Sequence, residues 1–290
     1  MFNIGVESYS YHRYFGELRY GEKPTKNIID ICEFVENMQI KKINSLGIQT
    51  CFIDYENNNQ IEKLNNQLIN RNFELVISWG HPTGIELGEN KLAFADLLEK
   101  LKWAKYLNAE HFRFVIDGPT LWKKENNAVT LKRVIPLIKE ITMMAADLDI
   151  NVSIENHGGL QKEIYNEIFS LIDSHYLGMT FDIGNFIRTG ENIFEAFDLF
   201  KDKIYVVHIK DFELEGLKPG EPNGWWPTVA LGQGDLPLER ILRKLLLMNF
   251  NGPILIELMA SNNSDEIEDM LITESIDFLI EQRNRHRQVK

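Results

Sequence analysis

Four side chains with metal-donor atoms stand at or just after the end of short, β-branched apolar runs. They are Glu155 after Asn151-Val152-Ser153-Ile154, Asp182 after Gly178-Met179-Thr180-Phe181, His208 after Ile204-Tyr205-Val206-Val207, and Glu257 after Pro253-Ile254-Leu255-Ile256. Each run reads as a buried strand that finishes on a polar group. In a parallel barrel the C-terminal strand ends converge on one face, which would bring three carboxylates and one imidazole together. Oxygen donors with a single ring nitrogen suit a hard to borderline divalent cation. An ionised carboxylate in such a place is costly unless something positive compensates it, and a cation is the simplest compensation.

The elements that must position these groups alternate along the whole chain. Strands are predicted over Phe2–Ser8, Ile48–Ile53, Glu74–Trp79, His111–Ile116, Asn151–Glu155, Gly178–Asp182, Ile204–Ile209 and Pro253–Leu258. Between them apolar residues recur three and four apart, as in Phe94, Leu97, Leu98, Leu101 and Ala104, or Leu131, Val134, Ile135, Ile138 and Ile141. With a last helix over Glu266–Arg285, the pattern predicts an α/β protein, a single-domain (β/α)8 TIM barrel spanning residues 1–290. A doubly wound open sheet is the alternative, and it rarely needs so many regular units. Pro136 predicts that the helix after the fourth strand is kinked or begins late. Asn57–Asn59 reads as a helix-start loop. Two long connections, Tyr9–Lys26 and Phe212–Gly234, leave strand C-termini, and loops of this length in compact domains are usually lids or binding loops.

Composition narrows the classes. At 44% apolar and 26% charged residues, the chain matches a soluble globular protein. A net charge of −12, from 31 basic and 43 acidic residues, argues against a nucleic-acid partner. Cys32 and Cys51 make neither a disulfide framework nor a zinc pattern and read as core residues. Residues Met1–Glu7 show no secretory signal, and no run approaches the ~18 apolar residues of a membrane span. The expectation is a cytoplasmic protein without a membrane partner.

Ile154-Glu155-Asn156-His157-Gly158-Gly159, Phe181-Asp182-Ile183-Gly184-Asn185, Val207-His208-Ile209-Lys210-Asp211, Gly232-Gln233-Gly234-Asp235 and Ile256-Glu257 together resemble the xylose isomerase-like TIM barrels. Within these, the chain looks most like the sugar phosphate isomerase/epimerase and ketose 3-epimerase group. The resemblance implies one divalent cation, commonly manganese (magnesium, cobalt and zinc being the alternatives), held by Glu155, Asp182, His208 and Glu257. It also implies a keto-sugar or related polyol substrate, with a proton moved next to a carbonyl through an enediolate. Glu155 and Glu257 are then the acid/base pair as well as ligands. Homo-oligomers are common for this architecture.

Further candidates surround this set. Much of the family carries a histidine three residues past the strand-six aspartate; here Asn185 stands there, able to donate to a sugar oxygen but not to shuttle a proton. Lys210 shares a strand face with His208 and either reaches a substrate oxygen or pairs with Asp211. His81, His157 and Glu7 are candidate substrate contacts; Glu7 and Asp117 would orient a polyol hydroxyl or cap a helix. Trp225 and Trp226 suit stacking on a sugar or packing of their loop. Gly232-Gln233-Gly234 permits a tight turn and is not a dinucleotide motif. Arg13, Arg19, Lys210 and Lys218 are the cations on hand for a substrate phosphate.

The nearest competing reading keeps the site and changes the outcome: a lyase, such as a dehydratase of a keto-sugar or inosose, follows proton removal with loss of water. An apurinic endonuclease shares the fold but needs extra histidines; Asn185, the missing Asp-x-His pair after strand seven and the acidic balance argue against it. A non-catalytic sugar-binding barrel does not explain four retained ligands.

Overall fold

The β-branched runs form strands whose residues are buried almost throughout, as a parallel sheet covered on both faces requires. In the computed structural model these are β1 (Asn3–Glu7), β2 (Ser45–Gln49), β3 (Glu74–Ser78), β4 (His111–Phe114), β5 (Asn151–Glu155), β6 (Leu177–Asp182), β7 (Ile204–Ile209) and β8 (Pro253–Ile256). They close in sequence order into a parallel barrel with flanking helices, the (β/α)8 architecture. The structure describes residues 1–19, 22–70, 73–80, 84–117, 127–220, 226–259 and 265–287.

The chain divides into two compact units. One comprises Met1–Leu75, His208–Leu217 and Trp225–Lys290, and the other Val76–Val207 and Lys218–Gly224. In the first unit β1 pairs with β2 (Glu7 opposite Gly47) and with β8 (Val6 opposite Ile256). Its helices are α1 (Ile31–Gln39), α2 (Asn58–Ile69), α8 (Leu238–Leu247) and α9 (Asp265–Arg287). Helix α1 starts on a capping box, the Asp30 carboxylate taking the Glu33 N–H and the Glu33 carboxylate taking the Asp30 N–H. Asn57 caps α2, so the asparagine cluster does begin a helix.

In the second unit β4 pairs with β5 (Arg113 opposite Ser153) and β5 with β6 (Glu155 opposite Thr180). Its helices are α3 (Lys91–Tyr106), α4 (Asn127–Leu148), α5 (Lys162–Leu171), α6 (Ile183–Arg188) and α7 (Ile193–Phe200). Two of them, α6 and α7, occupy the connection where one helix is expected. Helix α4 is already formed at Asn127 and runs through Pro136, so a late start is ruled out. The proline withholds one N–H from the α4 ladder.

Two expectations need correction. The second strand ends at Gln49, and Thr50–Phe52 form a 3-10 turn instead of the predicted strand end. That turn also carries Cys51 to the surface, whereas Cys32 is buried as expected and its thiol is pushed up to about 11, chiefly by burial. No helix among the described residues is long and apolar enough to cross a membrane.

Buried carboxylates tie both long connections down. Asp211, wholly buried just after β7, accepts N–H bonds from Phe212, Gly232, Gly234 and Leu236 at 2.9–3.1 Å. A Cβ on Gly234 would lie 2.3 Å from the Asp211 carboxylate, so only glycine lets the loop close on it. After β1, Arg13 is 2% exposed and pairs with Glu268 (2.7 Å) and Asp265 (3.3 Å) of α9. Asp211→Ala removes the acceptor of four backbone amides at once, two of them buried; it is expected to lower stability by about 3–5 kcal/mol, read from the midpoint of chemical denaturation.

Candidate metal centre and active site

The residues singled out in sequence do stand at strand ends: Glu7, Glu155 and Asp182 close β1, β5 and β6, His208 is the penultimate residue of β7, and Glu257 follows β8. All five are at most 6% exposed.

In the unit that carries β4 to β6, Glu155 is held from two sides. The Arg113 guanidinium bonds to Oε2, and the Asn185 amide donates to Oε1 at 3.1 Å. Arg113 reaches this point because β4 turns it to the side opposite Phe112 and Phe114, and it also donates to the Trp79 carbonyl at 3.3 Å. Asp182 is fixed through its backbone and one oxygen. The Asn156 side chain accepts its N–H at 2.7 Å and donates to its carbonyl at 2.8 Å, imitating a strand partner. Asp182 also caps α6, its Oδ1 taking the Asn185 N–H at 2.8 Å.

In the unit that carries β1 and β8, the His208 ring lies between two carboxylates. Its Nε2 is 3.6 Å from Glu7 Oε2, and its Nδ1 is 4.0 Å from Glu257 Oε1. Lys210, two residues on, bonds to Glu257 Oε2. The pairing of Lys210 with Asp211 is corrected: Asp211 is occupied by the four backbone amides.

Glu155, Asp182 and His208 each offer a ligand atom, and these atoms lie within 4.8 Å of one another. Two buried carboxylates and an imidazole at that spacing are a donor set a divalent cation fits. Glu257 stands beside this trio through its approach to His208 Nδ1.

A model of the xylose isomerase-like TIM barrel family matches residues 31–282. The chain belongs to that family. No curated protein sequence matches this xylose isomerase-like barrel. Among solved structures it resembles the IOLI protein with a binding zinc atom (14% identity, TM-score 0.77, 97% of each chain covered). It also resembles D-psicose 3-epimerase with D-tagatose from Clostridium cellulolyticum H10 (14%, 0.74, 96% of this chain and 98% of the other). A third likeness is to AsbF of Bacillus anthracis, a probable 3-DHS dehydratase in petrobactin synthesis (14%, 0.67, 96% and 98%). At these identities the likeness speaks for the fold.

The remaining candidates of this xylose isomerase-like barrel fall in different places. His81 and Trp225 lie outside the described residues. Trp226 is 5% exposed and packs edge-on against Phe212, ring centres 5.5 Å apart. His157 is half-buried, its Nδ1 3.8 Å from Oδ1 of the buried Asp117. Two glycines with positive φ, Gly84 and Gly158, make room for Asp117, since a Cβ on Gly158 would lie 2.0 Å from its Oδ2. The residues missed from sequence are Arg113 and Asn156. Arg113 had a signal, a lone cation inside the apolar run Phe112-Arg113-Phe114-Val115, which a buried strand tolerates only with a paired acid. Asn156 had none, because its role is to bond backbone on a neighbouring strand.

Burial pushes the Asp117 carboxyl above its ordinary range, with His157 pulling only partly the other way. For His157 burial opposes the imidazolium, but the neighbouring Asp117 outweighs it and the imidazole is raised. Both groups therefore hold protons more tightly folded than unfolded. Their contribution is fully present below the ordinary carboxylate value of about 4 and declines as pH rises through the raised values, past the ordinary imidazole value of about 6.5. Asp117→Asn is expected to flatten this decline, measured as denaturation free energy across a pH series.

Proposed function

We propose that this protein is a divalent-metal-dependent isomerase or epimerase that moves a proton next to the carbonyl of a keto-sugar or related polyol, with residues 1–290 acting as one catalytic domain. The observation that carries the reading is the buried trio Glu155, Asp182 and His208, with ligand atoms within 4.8 Å. Charge supports it as well. Glu7, Glu155, Asp182 and Glu257 are four buried carboxylates against two buried cations, Arg113 and Lys210, an excess of two negative charges with His208 neutral. Glu155, Asp182, His208 and Glu257 would hold the ion, manganese by the family resemblance. When bound, the ion would polarise a carbonyl and its neighbouring hydroxyl and so lower the cost of an enediolate.

The chain's own residues supply the proton transfers. In this reading Glu155, at the end of β5, and Glu257, after β8, are the acid/base pair. One carboxylate takes the proton from the carbon between carbonyl and hydroxyl, and the other returns a proton to the opposite face. Arg113 and Asn185 orient Glu155, and Lys210 orients Glu257, so neither carboxylate must be repositioned during turnover. His157 and Asn185 are the polar groups proposed to meet sugar hydroxyls. The buried cations Arg13, Arg113 and Lys210 are already paired with carboxylates, which favours an unphosphorylated substrate. A dehydratase using the same first step is the second reading, favoured by the likeness to AsbF; formation of an absorbing enone instead of an epimer marks it.

The test is elemental analysis followed by proton–deuterium exchange into a panel of ketoses in heavy water. Glu155→Gln and Glu257→Gln are each expected to reduce exchange at least ~100-fold with an unchanged melting profile. Unchanged exchange in both variants refutes the acid/base assignment. Chelation is expected to stop exchange, and added Mn2+ to restore it.

A further inference from the structure

Glu7 is fully buried at the end of β1, where an ionised carboxylate is expensive without a specific use. The surroundings fix it in one orientation. The Gln49 N–H donates to Ser8 Oγ at 2.8 Å, and the Ser8 hydroxyl donates to Glu7 Oε1 at 3.3 Å. The other oxygen, Oε2, points along β2 at the place where that strand has no side chain. A Cβ on Gly47, the register partner of Glu7, would lie 2.3 Å from Oε2. Oε2 in turn is 3.6 Å from His208 Nε2, while the opposite ring nitrogen faces Glu257.

We propose that Glu7 is a positioning residue that holds the proton of His208 on Nε2 and so presents the Nδ1 lone pair to the cation. This rests on the metal-dependent reading above. A neutral imidazole carries one N–H and one lone pair, and the partner of one nitrogen decides the role of the other. A carboxylate beside Nε2 selects the Nε2–H tautomer. Nδ1, on the side of Glu257, would then be the nitrogen whose lone pair is available to a cation. Carboxylates behind a metal-binding imidazole orient the ring and raise its basicity in this way. The assignment also separates Glu7 from the sugar, with which its position at a strand end would otherwise group it.

The experiment titrates metal-free, full-length protein with Mn2+ by calorimetry, comparing wild type, Glu7→Gln and Glu7→Ala. Glu7→Ala is expected to weaken Mn2+ binding towards ~100-fold and the isosteric Glu7→Gln by about 10-fold, with the sugar KM at saturating Mn2+ unchanged. If the alanine variant does not fold, the glutamine variant carries the comparison. Ring-nitrogen NMR of the metal-free protein, with His208 identified by His208→Gln, is expected to show Nε2 protonated in wild type and a mixed tautomer once the carboxylate is lost. Unchanged Mn2+ affinity in the variants overturns the proposal, as does a raised KM with unchanged metal affinity, which would put Glu7 on the substrate. A wild type that takes up no Mn2+, Co2+ or Zn2+ sinks the functional reading instead, and the ring spectrum alone then decides the contact between Glu7 and His208.

Discussion

Anionic oxygens taken out of water must be matched, and the site is arranged around that requirement. Glu155 is matched by Arg113 and the Asn185 amide, Glu257 by Lys210, and Asp182 by the first turn of α6. Arg113 and Lys210 supply charge as well as orientation, while the Asn185 amide and the first turn of α6 supply orientation alone. Glu155 and Asp182, with His208, still offer ligand atoms within 4.8 Å of one another, a spacing a divalent cation fits.

Space is handled as tightly as charge. The three carboxylates Glu7, Asp117 and Asp211 each lie where the adjacent backbone carries a glycine, at Gly47, Gly158 and Gly234. An alanine at any of these points would overlap the acid. At these three positions the glycine marks where an acid must be admitted, which explains why Gly47 sits in the middle of β2 despite its poor strand propensity.

The scaffold leaves the choice of reaction to a few side chains. The fold is shared by proteins described as an epimerase and as a probable dehydratase, so barrel geometry does not choose between them. At Asn185, where the family resemblance leads one to expect a histidine, an amide donates to Glu155 Oε1. In the loop after β1, Arg13 pairs with Glu268 and Asp265 of α9.

The barrel, and the placement of Glu155, Asp182, His208 and Glu257 at or beside the ends of their strands, were legible along the chain. Period-2 and period-3.6 patterns are local, and a polar residue terminating a buried run is conspicuous. The end of β2 was misjudged because Cys51, Phe52 and Ile53 continue the apolar composition while the backbone turns into a 3-10 segment. Pairings across strands were beyond sequence reading. That Lys210 meets Glu257 while Asp211 gathers four amides depends on how β8 and the loop after β7 fold back, since composition leaves both partners equally eligible. Arg113 with Glu155, and Glu7 with His208, join residues 42 and 201 positions apart, and only closure of the strands decides such contacts.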